Sequence, residues 1–141
     1  MGFFEDLQRG EVGQELAKQT ILDNISHFSP MFTTVMASGM FKSWDLEMRL
    51  TAECKFDEMS AKYNNFCFEE TSLNHTQSDV WVHMVHNGTY IFQTEKLKQD
   101  IQAHINNCKI KFGGDQKHKL YIYPIDYVKN NFNILYIEEK Q

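Results

Sequence analysis

The reading of this chain turns on WDLEMRLTAECKFDEMS, residues 44–60. At Trp44 the apolar pattern changes to a period of two, so DLEMRL and TAECKF predict adjacent strands or one long bent ribbon. Side chains two apart on a strand share a face. Glu53 and Lys55 therefore stand together, while Ala52, Cys54 and Phe56 turn the other way. Asp45 heads the first run, and a turn between the runs brings its carboxylate across to Glu53. Two meanings attach to this pattern. Charged residues decorate the wet face of any half-buried sheet, and cross-strand pairs stabilise it. Paired carboxylates also bind a hard divalent ion, and a neighbouring amine can orient a water.

Working outward, residues 11–26 predict a helix with Val12, Leu16, Ala17, Ile21, Leu22 and Ile25 as its apolar stripe. Glu11 and Glu15 lie four apart on one face of it. Pro30 and Gly39 break the segment that follows, which reads as a loop and a strand near 32–37. Residues 66–70, FCFEE, predict a further strand. DVWVHMVHNGTYIFQT predicts a hairpin about Asn87-Gly88, a pair that tolerates positive φ. Residues 95–108 predict a second amphipathic helix, with Thr94 as N-cap and Leu97, Ile101 and Ile105 on one side. KFGGDQKHK reads as a polar loop, LYIYP as a strand, IDYVKNN as a short helix and FNILYIEE as a terminal strand. That order predicts an α/β fold, bordering on α+β, with a mixed central sheet flanked by helices in a single domain over 1–141.

Composition narrows the function classes. Of 141 residues, 42% are hydrophobic and 23% charged, enough apolar material for a core rich in the eleven Phe and six Tyr. A formal charge of -5 argues against holding nucleic acid by net charge alone, although bound cations invert a local field. Cys54, Cys67 and Cys108 are odd in number and widely spaced, which favours a reducing compartment. The opening MGFFEDLQRGEVGQEL has no basic segment leading into an apolar one, and no run reaches membrane-spanning length. The expectation is a cytoplasmic protein with no membrane association, and NHT and NGT are then accidental glycosylation matches. His75, His83, His86 and Cys67 have no zinc-finger or zincin spacing, and Gly113-Gly114 lacks the flanks of a P-loop.

WD followed by AECK resembles the acid-then-ExK core of the PD-(D/E)xK nuclease superfamily, the restriction-endonuclease-like fold, and in particular its small resolvase-like and phage-type members. RGEVGQELA is similar to the acidic motif of the family's first helix, with Glu15 the better match and Glu11 the second. YNNFCFEET resembles the Asn, strand, Glu pattern of related nucleases, which falls on Asn65 and Glu69. SDVWVHMVHNGTYIFQTEKLKQDI resembles the next segment, an Asp-aromatic strand that leads through a hairpin into a helix. Trp44 stands where the naming Pro of the superfamily would be, and the gap from Asp45 to Glu53 is shorter than usual.

The resemblance implies a Mg2+-dependent DNA endonuclease, with Mn2+ as a substitute ion and structure-selective, resolvase-like cleavage. It implies that Asp45, Glu53 and the Cys54 carbonyl hold the ion, that Glu15 reaches its sphere and that Lys55 positions water. DNA is the implied partner and a homodimer the implied assembly. Lys62, Asn65 and Glu69 are candidate DNA contacts, joined by Lys117 and Lys119 if the Gly-Gly loop meets phosphates rather than solvent. The alternative is a catalytically inactive nuclease-fold protein that binds DNA or a partner protein.

Overall fold

In the computed structural model, which describes residues 3–28, 30, 33–36, 46–113 and 118–140, the period-two segments sort into three sheets. β1 (Thr33–Met36) and β2 (Leu46–Arg49) form an antiparallel pair. β3 (Ala52–Phe56), β5 (Val80–Val85), β6 (Gly88–Gln93) and β9 (Tyr136–Glu139) form a mixed sheet in that order, with β3 parallel to β5 and the other pairs antiparallel. β4 (Asn65–Glu69), β8 (Lys119–Pro124) and β7 (Lys109–Phe112) form an antiparallel sheet in the order β4-β8-β7. The helices are α1 (Phe3–Asp23), α2 (Ile25–Phe28), α3 (Ser60–Tyr63), α4 (Glu70–His75), α5 (Thr94–Ala103) and α6 (Ile125–Asn131). The architecture is an α/β domain whose mixed central sheet is flanked by helices.

VWVHMV on β5 is buried at all six positions, as expected of a central strand covered on both faces. Its two faces serve different cores. Val80, Val82 and Met84 join Ile91 of β6 against Ala17, Ile21 and Phe28 of the N-terminal helices. Trp81 and Val85 join Tyr90 and Phe92 against Phe66 and Phe68 of β4, Tyr121 and Tyr123 of β8, and apolar residues of α5 and α6. Aromatic rings dominate this second core. Phe66 meets Tyr90 edge-on at 5.0 Å, and Tyr123 meets Phe132 edge-on at the same distance.

Several sequence expectations change in three dimensions. DLEMRL and TAECKF do form strands, but β2 pairs with β1 and β3 pairs with β5, so the two are not ladder neighbours. The first helix begins at Phe3 and breaks at Asn24. Its buried stripe is Gly13, Ala17 and Ile21, whereas Val12, Leu16, Leu22 and Ile25 are exposed. That stripe lies close to β5: a Cβ on Gly13 would meet Met84 Cε at 3.5 Å, an ordinary contact distance.

The β5–β6 hairpin turns at His86-Asn87, one residue earlier than the sequence suggests, because Val85 pairs with Gly88. Gly88 serves the ladder instead. Its φ is +155°, and an added Cβ would lie 2.4 Å from the Glu138 carbonyl oxygen on β9. Gln93 rather than Thr94 is the cap of α5, and α5 ends at Ala103 before a 3-10 turn at Ile105–Asn107. KIKF, read as part of a loop, is the exposed edge strand β7; residues 114–117 lie outside the described residues. The strand at 33–36, the short helix at 125–131 and the terminal strand form where the pattern placed them.

Candidate functional site

The site is built on β3. Thr51, just before it, is pinned to the foot of β5: Asp79 Oδ2 accepts from Thr51 N at 2.9 Å and from Thr51 Oγ1 at 3.0 Å. The register then sets Glu53 beside Trp81 and Lys55 beside His83. Parity turns Cys54 toward the α1 side, where it packs against that core. Burial chiefly pushes its thiol up, with the Glu53 charge adding to the effect and Lys55 opposing it. Glu53 and Lys55 face the other way, toward the second sheet and α4.

On that face Lys55 Nζ lies 3.1 Å from Glu53 Oε1 and donates to Ser72 Oγ of α4 at 3.0 Å. It also stands over the Trp81 ring, 5.7 Å from its centroid. The Lys55 and Glu53 side chains remain 33% and 37% exposed. A pair so open contributes only about 0–1 kcal/mol to stability. A cleft of about 360 Å³ opens beside Glu53, lined by Thr71, Ser72, His75 and Thr76. A second cleft, of about 270 Å³, opens on the Lys55 side above Cys67, Glu69, Trp81 and His83.

Beneath the amine runs a buried polar chain. Trp81 Nε1 can only donate, and it donates to His83 Nδ1 at 3.0 Å. The imidazole proton therefore sits on Nε2, which lies 3.0 Å from Asp57 Oδ2. The same oxygen accepts from the Cys67 backbone N–H at 2.9 Å. Asp57 thus ties the end of β3 to β5 and to the second sheet. Burial, followed by the Asp57 and Glu69 charges, pushes the Cys67 thiol up to about 11.

The remaining sequence candidates are scattered around this centre. Asp45 and Lys117 lie outside the described residues. Glu11 and Glu15 are exposed on α1, and the helical step of about 100° per residue sets Glu15 roughly opposite the Gly13–Ala17–Ile21 stripe. Helix rotation therefore does not bring Glu15 to Glu53. Asn65 lies at the far end of β4 from Glu69, with its amide turned to the Asn64 and Tyr63 carbonyls. Glu69 lines the Lys55 cleft and lies 3.7 Å from His118 Nδ1. Lys62 is exposed and stands over the Tyr63 ring at 5.2 Å. Lys119 is engaged by Glu70 at 3.7 Å and by the Tyr121 ring at 5.4 Å.

Sequence reasoning missed Ser72, Trp81 and Asp57 as members of the site. A signal was present for the last two. His83 is the lone polar residue in VWVHMV, and a buried imidazole needs partners on both nitrogens.

Among the described residues no three His, Cys, Asp or Glu side chains gather as a metal site. Glu53 offers a half-exposed carboxylate beside one cleft and Glu69 another beside the second, chemistry suited to a hard ion that takes oxygen ligands. No described helix is long and apolar enough to cross a membrane. Comparison of the chain with protein-family models, with curated proteins and with solved structures finds no match.

Proposed function

We propose that this chain is a Mg2+-dependent DNA endonuclease of the PD-(D/E)xK type, with a restriction-endonuclease-like fold. The observation that carries the reading is the Glu53–Lys55–Ser72 constellation: a carboxylate, an amine and a hydroxyl within 3.1 Å links on a strand face open to solvent. A surface pair of this exposure adds too little stability to account for an amine held from three sides.

In this reading Asp45, Glu53 and the Cys54 carbonyl would hold Mg2+ or Mn2+. The bound ion supplies Lewis acidity and an acidified water. Lys55, braced by Ser72, orients a water and offset charge to the phosphodiester, a task that suits an amine kept as a point charge. Glu53 holds Lys55 in place through the 3.1 Å pair. Lys62, Asn65, Glu69, Lys117 and Lys119 are the proposed DNA contacts, and a homodimer would set two such faces on one duplex. The outward rotation of Glu15 favours a second reading, an inactive nuclease-fold protein that binds DNA or a partner protein.

Incubation with linear, nicked, single-stranded and branched DNA, with Mg2+, Mn2+ or a chelator, separates the two. Metal-dependent hydrolysis that the chelator abolishes, and that Lys55→Ala lowers by about 100-fold or more, supports the nuclease. DNA binding with no cleavage of any form, unchanged by Lys55→Ala, selects the inactive reading.

A further inference from the structure

The amine of Lys55 has a third partner that the nuclease reading leaves without a task. Trp81 is wholly buried, yet it lines a cleft that Lys55 also lines. The ring is not held by packing alone. Its only polar atom is committed to His83 Nδ1 at 3.0 Å, and His83 Nε2 is committed to Asp57 Oδ2 at 3.0 Å. Asp57 is fixed in turn by the Cys67 N–H, a backbone donor on another sheet. Two side chains, His83 of β5 and Asp57 just beyond β3, therefore set the orientation of one indole plane.

We propose that Trp81 is a positioning residue for Lys55: its ring, locked in plane by His83 and Asp57, is a shelf that holds the ammonium between Glu53 and Ser72. The inference rests on the nuclease reading for the use made of the amine, but the shelf itself does not. A long Lys side chain on a strand edge has four rotatable bonds and loses most of its freedom when its head is fixed. Glu53 and Ser72 hold the head from two directions, at 3.1 and 3.0 Å. The π-face at 5.7 Å holds it from a third, and an aromatic quadrupole attracts an ammonium without accepting its proton. The amine thus keeps its N–H donors for Glu53, for Ser72 and for an incoming oxygen.

The test is a proton NMR measurement on the full-length protein. The Cε protons of Lys55, assigned with Lys55→Gln, should lie upfield of those of solvated lysines because of the indole ring current. Trp81→Leu should abolish the displacement and Trp81→Phe should retain part of it. Since a buried Trp is hard to replace, His83→Gln is the second variant; it keeps the ring but frees its plane, and should shrink the displacement. In a cleavage assay Trp81→Phe should lower kcat by about two- to thirtyfold with little change in KM, the range a cation–π contact supplies. An undisplaced Lys55 in the wild-type protein, or a displacement unchanged in a folded His83→Gln variant, overturns the proposal. A displaced Lys55 in a protein that cuts no DNA supports the shelf and overturns the nuclease reading alone.

Discussion

Removing the Asp57 carboxylate tests the buried chain without reference to activity. The Asp57 side chain is 6% exposed and that of His83 is 1% exposed, so both bonds form with little competition from water. In Asp57→Ala two buried donors, His83 Nε2–H and Cys67 N–H, lose their shared acceptor. Each orphaned donor costs about 1–3 kcal/mol, so the two together cost about 2–6 kcal/mol. Asp57→Asn should behave differently. Both bonds converge on one oxygen, Oδ2, so an amide with its oxygen there keeps both, as neutral bonds of roughly half the strength. The expected destabilisation is about 2–6 kcal/mol for Asp57→Ala and about 1–2 kcal/mol for Asp57→Asn. With a urea m-value of about 2 kcal/mol/M, the midpoint should fall by about 1–3 M in the first and by under about 1 M in the second. Urea unfolding followed by far-UV circular dichroism measures both. In a His83→Phe background, Asp57→Ala orphans only the Cys67 N–H and should cost about 1–3 kcal/mol. An Asp57→Ala protein within about 1 kcal/mol of wild type, or an Asn variant as damaged as the Ala variant, would refute the reasoning.

Other perturbations reach the strand edges, the thiol and the metal set. Gly88→Ala places a Cβ 2.4 Å from the Glu138 carbonyl at a φ that disfavours side chains, and should cost about 2–5 kcal/mol by loosening β9, read as a lower thermal midpoint. The folded Cys67 thiol is raised from 9.0 to about 11, so the neutral form is favoured by folding. That contribution is whole below pH 9.0 and is lost as the pH rises toward 11, and thiolate absorbance in a Cys54→Ser/Cys108→Ser background should show a midpoint near 11 rather than 9.0. Asp45→Asn should weaken Mg2+ binding and cleavage together while DNA binding holds or tightens, since one negative charge near the phosphates is gone; calorimetry and anisotropy check each arm. Calcium should support DNA binding with little cleavage, because it coordinates oxygen loosely and at longer distance.

Much of this molecule was legible in one dimension, wherever the deciding force is local. The two strand-like runs VWVHMV and TYIFQ, split by a turn pair, mark the hairpin that becomes β5 and β6. Helical spacing in KLKQDI marks α5, and Ile125 with Val128 marks α6, because one buried stripe suffices to call each. The pairing of Glu53 with Lys55 also follows from parity alone: a pleated strand cannot place them on different faces. Long-range choices were not legible. Consecutive runs at β2 and β3 look like neighbours, yet each finds its ladder partner elsewhere, and backbone hydrogen bonds carry no mark of which strand will supply them. The rotation of α1 buries the stripe of Gly13, Ala17 and Ile21 beside Met84 and Phe56 rather than the more apolar Val12 and Leu16, and helical spacing does not mark which stripe a sheet will take. That choice turned Glu15 outward. Sequence alone thus established which side chains share a strand face, since that is a property of the backbone. Only the tertiary structure decided what meets them there: Ser72 from α4, the Trp81 ring across the ladder, and the Asp57–His83 pair beneath, brought together by the burial of two apolar cores on either side of one strand.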